Sequence, residues 1–181
     1  LTTSSAAFRA SSTSSTPPMV DNPFRLFSQF RDRLGITVFT QADAYTDALA
    51  LQTLDGESGA ALWQVHGSRT VIVREPTART EKADGMATDI PGLVLSIRWA
   101  DCQNFLIYSP KHHVLGAVHA GWRGLLAGVI PEHFRVLKEE WGIAPEETYV
   151  AAGPSLCLQC SDFTDSREFF PGVREIGTLQ T

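Results

Sequence analysis

"AVHAGWRGLLAG", residues 117–128, passes from strand-forming to helix-forming composition within a few positions. The run 113–119 ("HVLGAVH") is rich in β-formers and delivers a histidine at its end. Gly121 and Gly124 then bracket Trp122-Arg123, which points to a backbone that must turn sharply. From Leu125 to Trp141 the composition is helical, and Pro131 inside that stretch must kink the helix or split it in two. A strand, a tight turn carrying chemistry and a helix make an α/β unit with its functional groups at the strand end.

The rest of the chain agrees with that unit. Residues 36–40, 70–73, 92–99, 104–109 and 147–153 all read as strands, and Ser109-Pro110-Lys111-His112 reads as the hairpin turn between 104–109 and 113–119. Asn22-Pro23 is a good helix start, with Phe24, Phe27, Phe30 and Leu34 at helical spacing and Gly35 as the stop. Residues 41–60 are weakly patterned. No repeat or interdomain linker interrupts the pattern. The expectation is one α/β domain over residues 19–181, with a mixed, largely sequential sheet and few helices. Residues 1–18 are rich in Ser and Thr, contain no acid and end in Pro17-Pro18 before Met19. They read as a disordered tail, either an added leader or the remnant of a transit peptide.

Composition narrows the partners. The 181 residues are 43% hydrophobic and carry a formal charge of −5, so no basic excess exists to draw nucleic acid or an anionic membrane. No apolar run approaches the roughly 20 residues of a membrane span. Three cysteines, one isolated and two as Cys157-Leu-Gln-Cys160, make no disulfide framework and favour a reducing compartment. A cytoplasmic protein is expected, or an organellar one if the tail is a transit remnant. Its partners are then small molecules, and its state a monomer or small homo-oligomer.

His66 in "WQVHG", Cys102 in "WADCQ" and His119 each lie at or just past the end of an expected strand. Two imidazoles and a thiolate suit zinc, and three protein ligands leave the fourth tetrahedral position open, as catalysis requires. Their separations match no local ligand spacing, so a buried structural role for any one of them stays open. Asp101 and Gln64, beside two of these residues, could hydrogen-bond to ligands or substrate. Arg123, near a helix start, suits an oxyanion such as phosphate. The alternative makes Arg123 a surface residue and Trp122 a core plug. Cys157 and Cys160 read as structural thiols. His133 is the one further histidine near them in sequence, and His112 and His113 fall in the hairpin turn.

"QVHG" (64–67), "ADGMAT" (83–88), "ADC" (100–102), "HAGWRG" (119–124) and "GPS" (153–155) occur in this order. Together they resemble the polyphenol-oxidase or laccase-domain family, also called the YfiH or peptidoglycan-editing-factor family. The resemblance runs from Trp63 to Ser155. It implies an α/β fold like the cysteine-hydrolase domain of cytotoxic necrotizing factors. It also implies a zinc-dependent enzyme on purine nucleosides: a phosphorylase for adenosine, inosine, guanosine and methylthioadenosine, and an adenosine deaminase. By motif position it makes His66, Cys102 and His119 the metal ligands, and Gln64, Asp84, Thr88, Asp101, Trp122 and Arg123 residues of the pocket or its support. Asp101 and Arg123 are the expected catalytic residues: Arg123 would hold phosphate against C1′ of the ribose, and Asp101, or alternatively Asp84, would move a proton. The chain departs from the family pattern in lacking a Gly-rich segment before "QVHG", and in "ADCQN" and "GPSLCLQCSDFT".

Three other readings compete. Cys102 and His119 could be the nucleophile and base of an amide hydrolase, which leaves His66 without a role. Copper could occupy the same His/Cys site and support phenol oxidation, since Cu²⁺ outbinds Zn²⁺ at most such sites, but five histidines are few for a multicopper centre. A non-catalytic nucleoside-binding protein is the fourth.

Overall fold

A computed structural model describes residues 4–10 (backbone), 23–39, 59–157 and 160. Two sheets and a helical layer stack on one another. The first sheet has the order β2-β1-β6-β3, where β1 is Ser4–Ala10, β2 Leu34–Phe39, β3 Gly59–Ala61 and β6 Val94–Trp99. The second has the order β4-β5-β8-β7-β9, where β4 is Thr70–Ile72, β5 Gly85–Thr88, β7 Gln103–Ser109, β8 Val114–Ala120 and β9 Tyr149–Ala152. β3 runs parallel to β6 and β4 parallel to β5, while the other pairs are antiparallel. This is the mixed α/β architecture expected.

Strand alternation explains the layering, because successive side chains point to opposite faces. Leu95 and Ile97 of β6, Leu106 and Tyr108 of β7, and Leu115 and Ala117 of β8 close the core between the sheets. The in-between residues Ile107, Val114, Val118 and Ala120 face the other way and meet Val129 and Leu137 of the long helix. β8 is therefore buried along its whole length, which accounts for its apolar run from Val114 to Val118.

The helical stretch divides as the proline required, but not at the proline. α1 (Trp122–Leu126) and α2 (Val129–Trp141) are separated at Gly128, whose φ of 81° is left-handed. Pro131 sits in the first turn of α2, where no intrahelical N–H bond is lost. Gly142 (φ 68°) ends α2, and the N–H groups of Gly142 and Ile143 close back on Lys138 and Leu137.

Two expectations are corrected. The N-terminal segment forms a 3₁₀ helix over Arg25–Phe30, and Leu34 and Gly35 belong to β2 rather than to a helix end. Phe24, Phe27 and Phe30 recur every three residues, which is the 3₁₀ period rather than the α one. Phe24 and Phe27 are buried, and Phe30 meets the rings of Tyr108 and Tyr149 edge-on. Residues 1–18 were expected to be disordered, yet Ser4–Ala10 is β1, wedged antiparallel between β2 and β6. A strand with partners on both sides satisfies its backbone groups whatever its side chains, so Ser/Thr-rich composition misled.

Among the described residues no helix is long and apolar enough to cross a membrane.

Candidate metal centre

Topology brings the site together. β7 and β8 are antiparallel with Gln103 opposite Ala120 and Asn104 opposite His119, so Cys102, just before β7, lies beside the end of β8. β5 is antiparallel to β8 with Gly85 opposite Val118, which sets Asp84 against His119. The segment 63–67 is tied to residues 81–83 by backbone hydrogen bonds between Trp63 and both Glu81 and Ala83. This delivers His66 to the same end of the sheet. The donor atoms of His66, Cys102 and His119 all lie within 4.8 Å of one another. The two imidazole rings stand 4.9 Å apart at 79°.

Asp84 organises the cluster from beneath. It is fully buried, and its carboxylate accepts N–H bonds from Val65 (3.2 Å), His66 (2.9 Å) and Gly67 (2.7 Å). Three successive backbone donors converge on one carboxylate because His66 is left-handed, with a φ of 60°. That conformation is uncommon for a residue with a side chain, and it aims the imidazole at the cluster. Asp84 Oδ1 is also 2.9 Å from His119 Nδ1, which turns the other ring nitrogen, Nε2, toward Cys102 and His66. Burial alone would push the Asp84 carboxyl up, but the bonds from His119 and from the backbone of Gly67, His66 and Val65 outweigh it and hold the group below its ordinary value.

The donor set fits a tetrahedral ion with one position open. Bonds of about 2.0–2.3 Å place ligand atoms about 3.5 Å apart, so a cluster within 4.8 Å closes on a metal with small movements. His119 is buried, Cys102 half-buried and His66 exposed, which leaves the His66 side open to solvent. Burial, and next the charge of Asp101, push the Cys102 thiol up. A nucleophile and a metal ligand alike need the thiolate, which a nearby cation would favour.

Gly121 is where the turn and the cluster touch. A Cβ there would stand 2.7 Å from His66 Cδ2 and 3.1 Å from Cys102 Sγ. We expect Gly121→Ala to fold but to bind metal about ten- to a hundredfold more weakly, by displacing both ligands. Titration calorimetry with zinc reads this, and an affinity within threefold of the parent chain would contradict it.

The other expected site residues divide. Asp101 is exposed beside Cys102 and contacts its thiol. Arg123 is exposed with its guanidinium 4.1 Å over the Trp122 ring, so Trp122 is a stacking platform rather than a core plug. Asp84, expected in the pocket or its support, is buried beneath the cluster with both oxygens engaged. Gln64 donates to the Arg98 carbonyl (2.6 Å) and accepts from the Arg98 N–H (2.9 Å), which uses its amide to fasten the His66 segment to β6. Thr88 is displaced furthest. It ends β5, about 10 Å along the strand from Gly85, and its hydroxyl caps the Ile90 N–H.

A cleft of about 370 Å³ opens next along the chain from His66, with Trp63, Gln64, Arg79 and Arg98 as its described walls. Sequence reading missed it. Its signal was the alternation in β6, which sends Arg98 outward between the core residues Ile97 and Trp99.

The remaining histidines are elsewhere. His112 and His113 lie in the β7–β8 turn, about 20 Å down the hairpin. His133 lies on the buried face of α2 against Gly85 and Gly116 and is no partner to the CxxC. Cys157 and Cys160 are both exposed, not packed structural thiols.

The sequence profile of the multi-copper polyphenol oxidoreductase laccase family matches residues 40–173. The chain belongs to that family. Relatives within it include a protein of Bacteroides thetaiotaomicron named purine nucleoside phosphorylase, 37% identical over 52% of this chain and 34% of its own length. Another of the same name, from Streptomyces coelicolor, is 34% identical over 62% of this chain and 48% of its own. The fold resembles that of YlmD from Geobacillus stearothermophilus (TM-score 0.53, 30% identity, 55% of this chain and 40% of that one). It also resembles YfiH from Bacillus licheniformis (TM-score 0.59, 26% identity, 63% and 47%). The chain thus spans less than half the length of these family members. The family is metal-associated, and the His66–Cys102–His119 cluster can hold a metal ion. A multicopper arrangement finds no second cluster of ligands among the described residues.

Proposed function

We propose that this chain carries the metal centre of a zinc-dependent purine nucleoside phosphorylase, with adenosine deamination as a second activity. One observation carries the reading: two imidazoles and a thiol converge within 4.8 Å, with His119 oriented by a buried carboxylate and one side of the cluster open. The name borne by the relatives points to the same reaction class.

His66, Cys102 and His119 would hold the ion. Bound there, zinc supplies Lewis-acid positive charge beside the substrate. Phosphorolysis makes a bond from a phosphate oxygen to C1′ and breaks the bond from C1′ to the base nitrogen, whose electron pair leaves with the base. Arg123 is assigned to the phosphate, because a guanidinium held over Trp122 loses little freedom when its fork meets an oxyanion. Asp101, exposed beside Cys102, is assigned to carrying the proton that the departing base acquires. The cleft walled by Trp63, Arg79 and Arg98 offers an aromatic face and cations for the nucleoside. Nucleoside and phosphate are the partners proposed, and the cytoplasm is the proposed compartment.

The test is incubation of adenosine with zinc-loaded protein, with and without phosphate. We expect phosphate-dependent release of adenine and ribose 1-phosphate, and a loss of about a hundredfold in kcat/KM for phosphate in Arg123→Ala. Inosine formation that ignores phosphate would leave only the deaminase, and no turnover would leave a nucleoside-binding protein.

A second reading rests on the same geometry. Asp84, His119 and Cys102 line up as carboxylate, imidazole and thiol, the order of a cysteine hydrolase. The convergence of His66, which the hydrolase arrangement leaves without a role, favours the metal instead.

A further inference from the structure

Cys157 and Cys160 have no place in the metal centre, yet their surroundings are specific. The Cys160 N–H donates to the Cys157 carbonyl at 3.0 Å, closing an i,i+3 turn. Such a turn eclipses the two side chains. Their sulfurs lie 2.9 Å apart, and both residues are exposed. No rearrangement is needed to bring the two sulfurs together.

The loop leading to them is fastened to one segment. Gly153 N–H donates to the Asn104 carbonyl (3.0 Å), Gln103 Nε2 to the Gly153 carbonyl (2.7 Å), and Ser155 Oγ to Gln103 Oε1 (3.0 Å). Leu156 N–H reaches the Asp101 carbonyl (3.4 Å). All four bonds end on residues 101–104, the segment that carries Cys102. A Cβ on Gly153 would stand 2.2 Å from Asn104 Oδ1, so the loop is seated without slack.

We propose that Cys157 and Cys160 form a reversible dithiol–disulfide site, open to low-molecular-mass disulfides, on the loop that borders the Cys102 segment. The thiolate of one cysteine attacks a sulfur of the small disulfide, and one small thiol leaves. The sulfur of the other cysteine then displaces the second small thiol and closes the Cys157–Cys160 bond. Two electrons pass from the protein to the small disulfide, and the two cysteine protons end on the two released thiols.

The test uses the full chain, reduced and then exposed to excess glutathione disulfide, with peptide mapping by mass spectrometry. The expected product is a Cys157–Cys160 cross-link that forms almost completely, carries no lasting glutathione and is fully reversed by dithiothreitol. In Cys160→Ser, a glutathione adduct on Cys157 should persist at least about tenfold longer than in the parent chain, because the resolving sulfur is gone. Phenylarsine oxide should bridge the reduced pair and leave the oxidised chain unlabelled. Stable glutathione adducts on both cysteines, a cross-link to Cys102, or two unreacted thiols would each overturn the proposal.

Discussion

Asp84→Asn loses both stability and metal. The carboxylate accepts from three backbone N–H groups and from His119, all in a site that excludes water from Asp84 itself. An asparagine of the same shape must set its NH₂ against donors on one side or the other. At least one buried donor then loses its acceptor, at about 1–3 kcal/mol, and the negative charge that strengthened every bond is gone. Thermal unfolding should fall by several degrees, at about 2–4 °C per kcal/mol for a chain of this size. The larger effect falls on the metal. Without the carboxylate, His119 is no longer fixed with Nε2 toward the cluster and the 65–67 turn loosens around His66, so zinc affinity should drop by about ten- to a hundredfold. Paired melting and zinc titrations read both effects. A folded Asp84→Asn chain with unchanged zinc affinity would show that Asp84 supports the fold and not the site.

Acid should destabilise the protein through His133. This histidine projects from the buried face of α2 into a notch left by Gly85 and Gly116; a Cβ on Gly116 would stand 2.4 Å from its Nε2. Thr70 Oγ1 lies 3.3 Å from Nδ1, and Nε2 has no hydrogen-bond partner among the described residues. Burial holds the imidazole neutral, with its pKa pulled down to about 4 from 6.5. Between those two values the unfolded chain binds a proton that the folded chain refuses. The contribution is therefore fully present above pH 6.5 and is lost as pH falls toward 4. The slope is about 1.4 kcal/mol per pH unit, or roughly 3 kcal/mol across the window. His133→Gln can keep the bond to Thr70 and cannot take up a proton, so its stability should be flatter over that range. Urea unfolding of both chains at a series of pH values tests this, and parallel curves would refute it.

These two residues show where the sequence was legible. The β7–β8 hairpin was readable because two β-rich runs flank Ser109-Pro110, and it came within a residue of the observed strands. His66, Cys102 and His119 were readable as ligand-type side chains; the pairing of β7 with β8 brings the last two together, and His66 arrives through the bonds of Trp63 to Glu81 and Ala83 rather than from a strand end. Asp84 was visible as a motif residue, but its role was not. A short "AD" says nothing of three N–H groups that lie 17–19 positions upstream in sequence. Thr88 and Gln64 misled for the same reason, since a polar side chain in a motif can be spent on backbone groups that only the fold brings near. His133 could not be read from its surroundings in sequence, because the glycine notch is built by two strands paired across the sheet. β1 sits between β2 and β6 through backbone pairing, which composition does not report.

The most direct test of the account is the metal content of protein purified without added metal, measured by elemental mass spectrometry for the parent chain and for Cys102→Ala. We expect about one zinc per chain in the parent and none in the variant. Copper in place of zinc would return the site to the oxidase reading. A folded, metal-free parent chain that takes up no added zinc would contradict the metal centre and leave Cys102, His119 and Asp84 as a thiol, imidazole and carboxylate in search of another reaction.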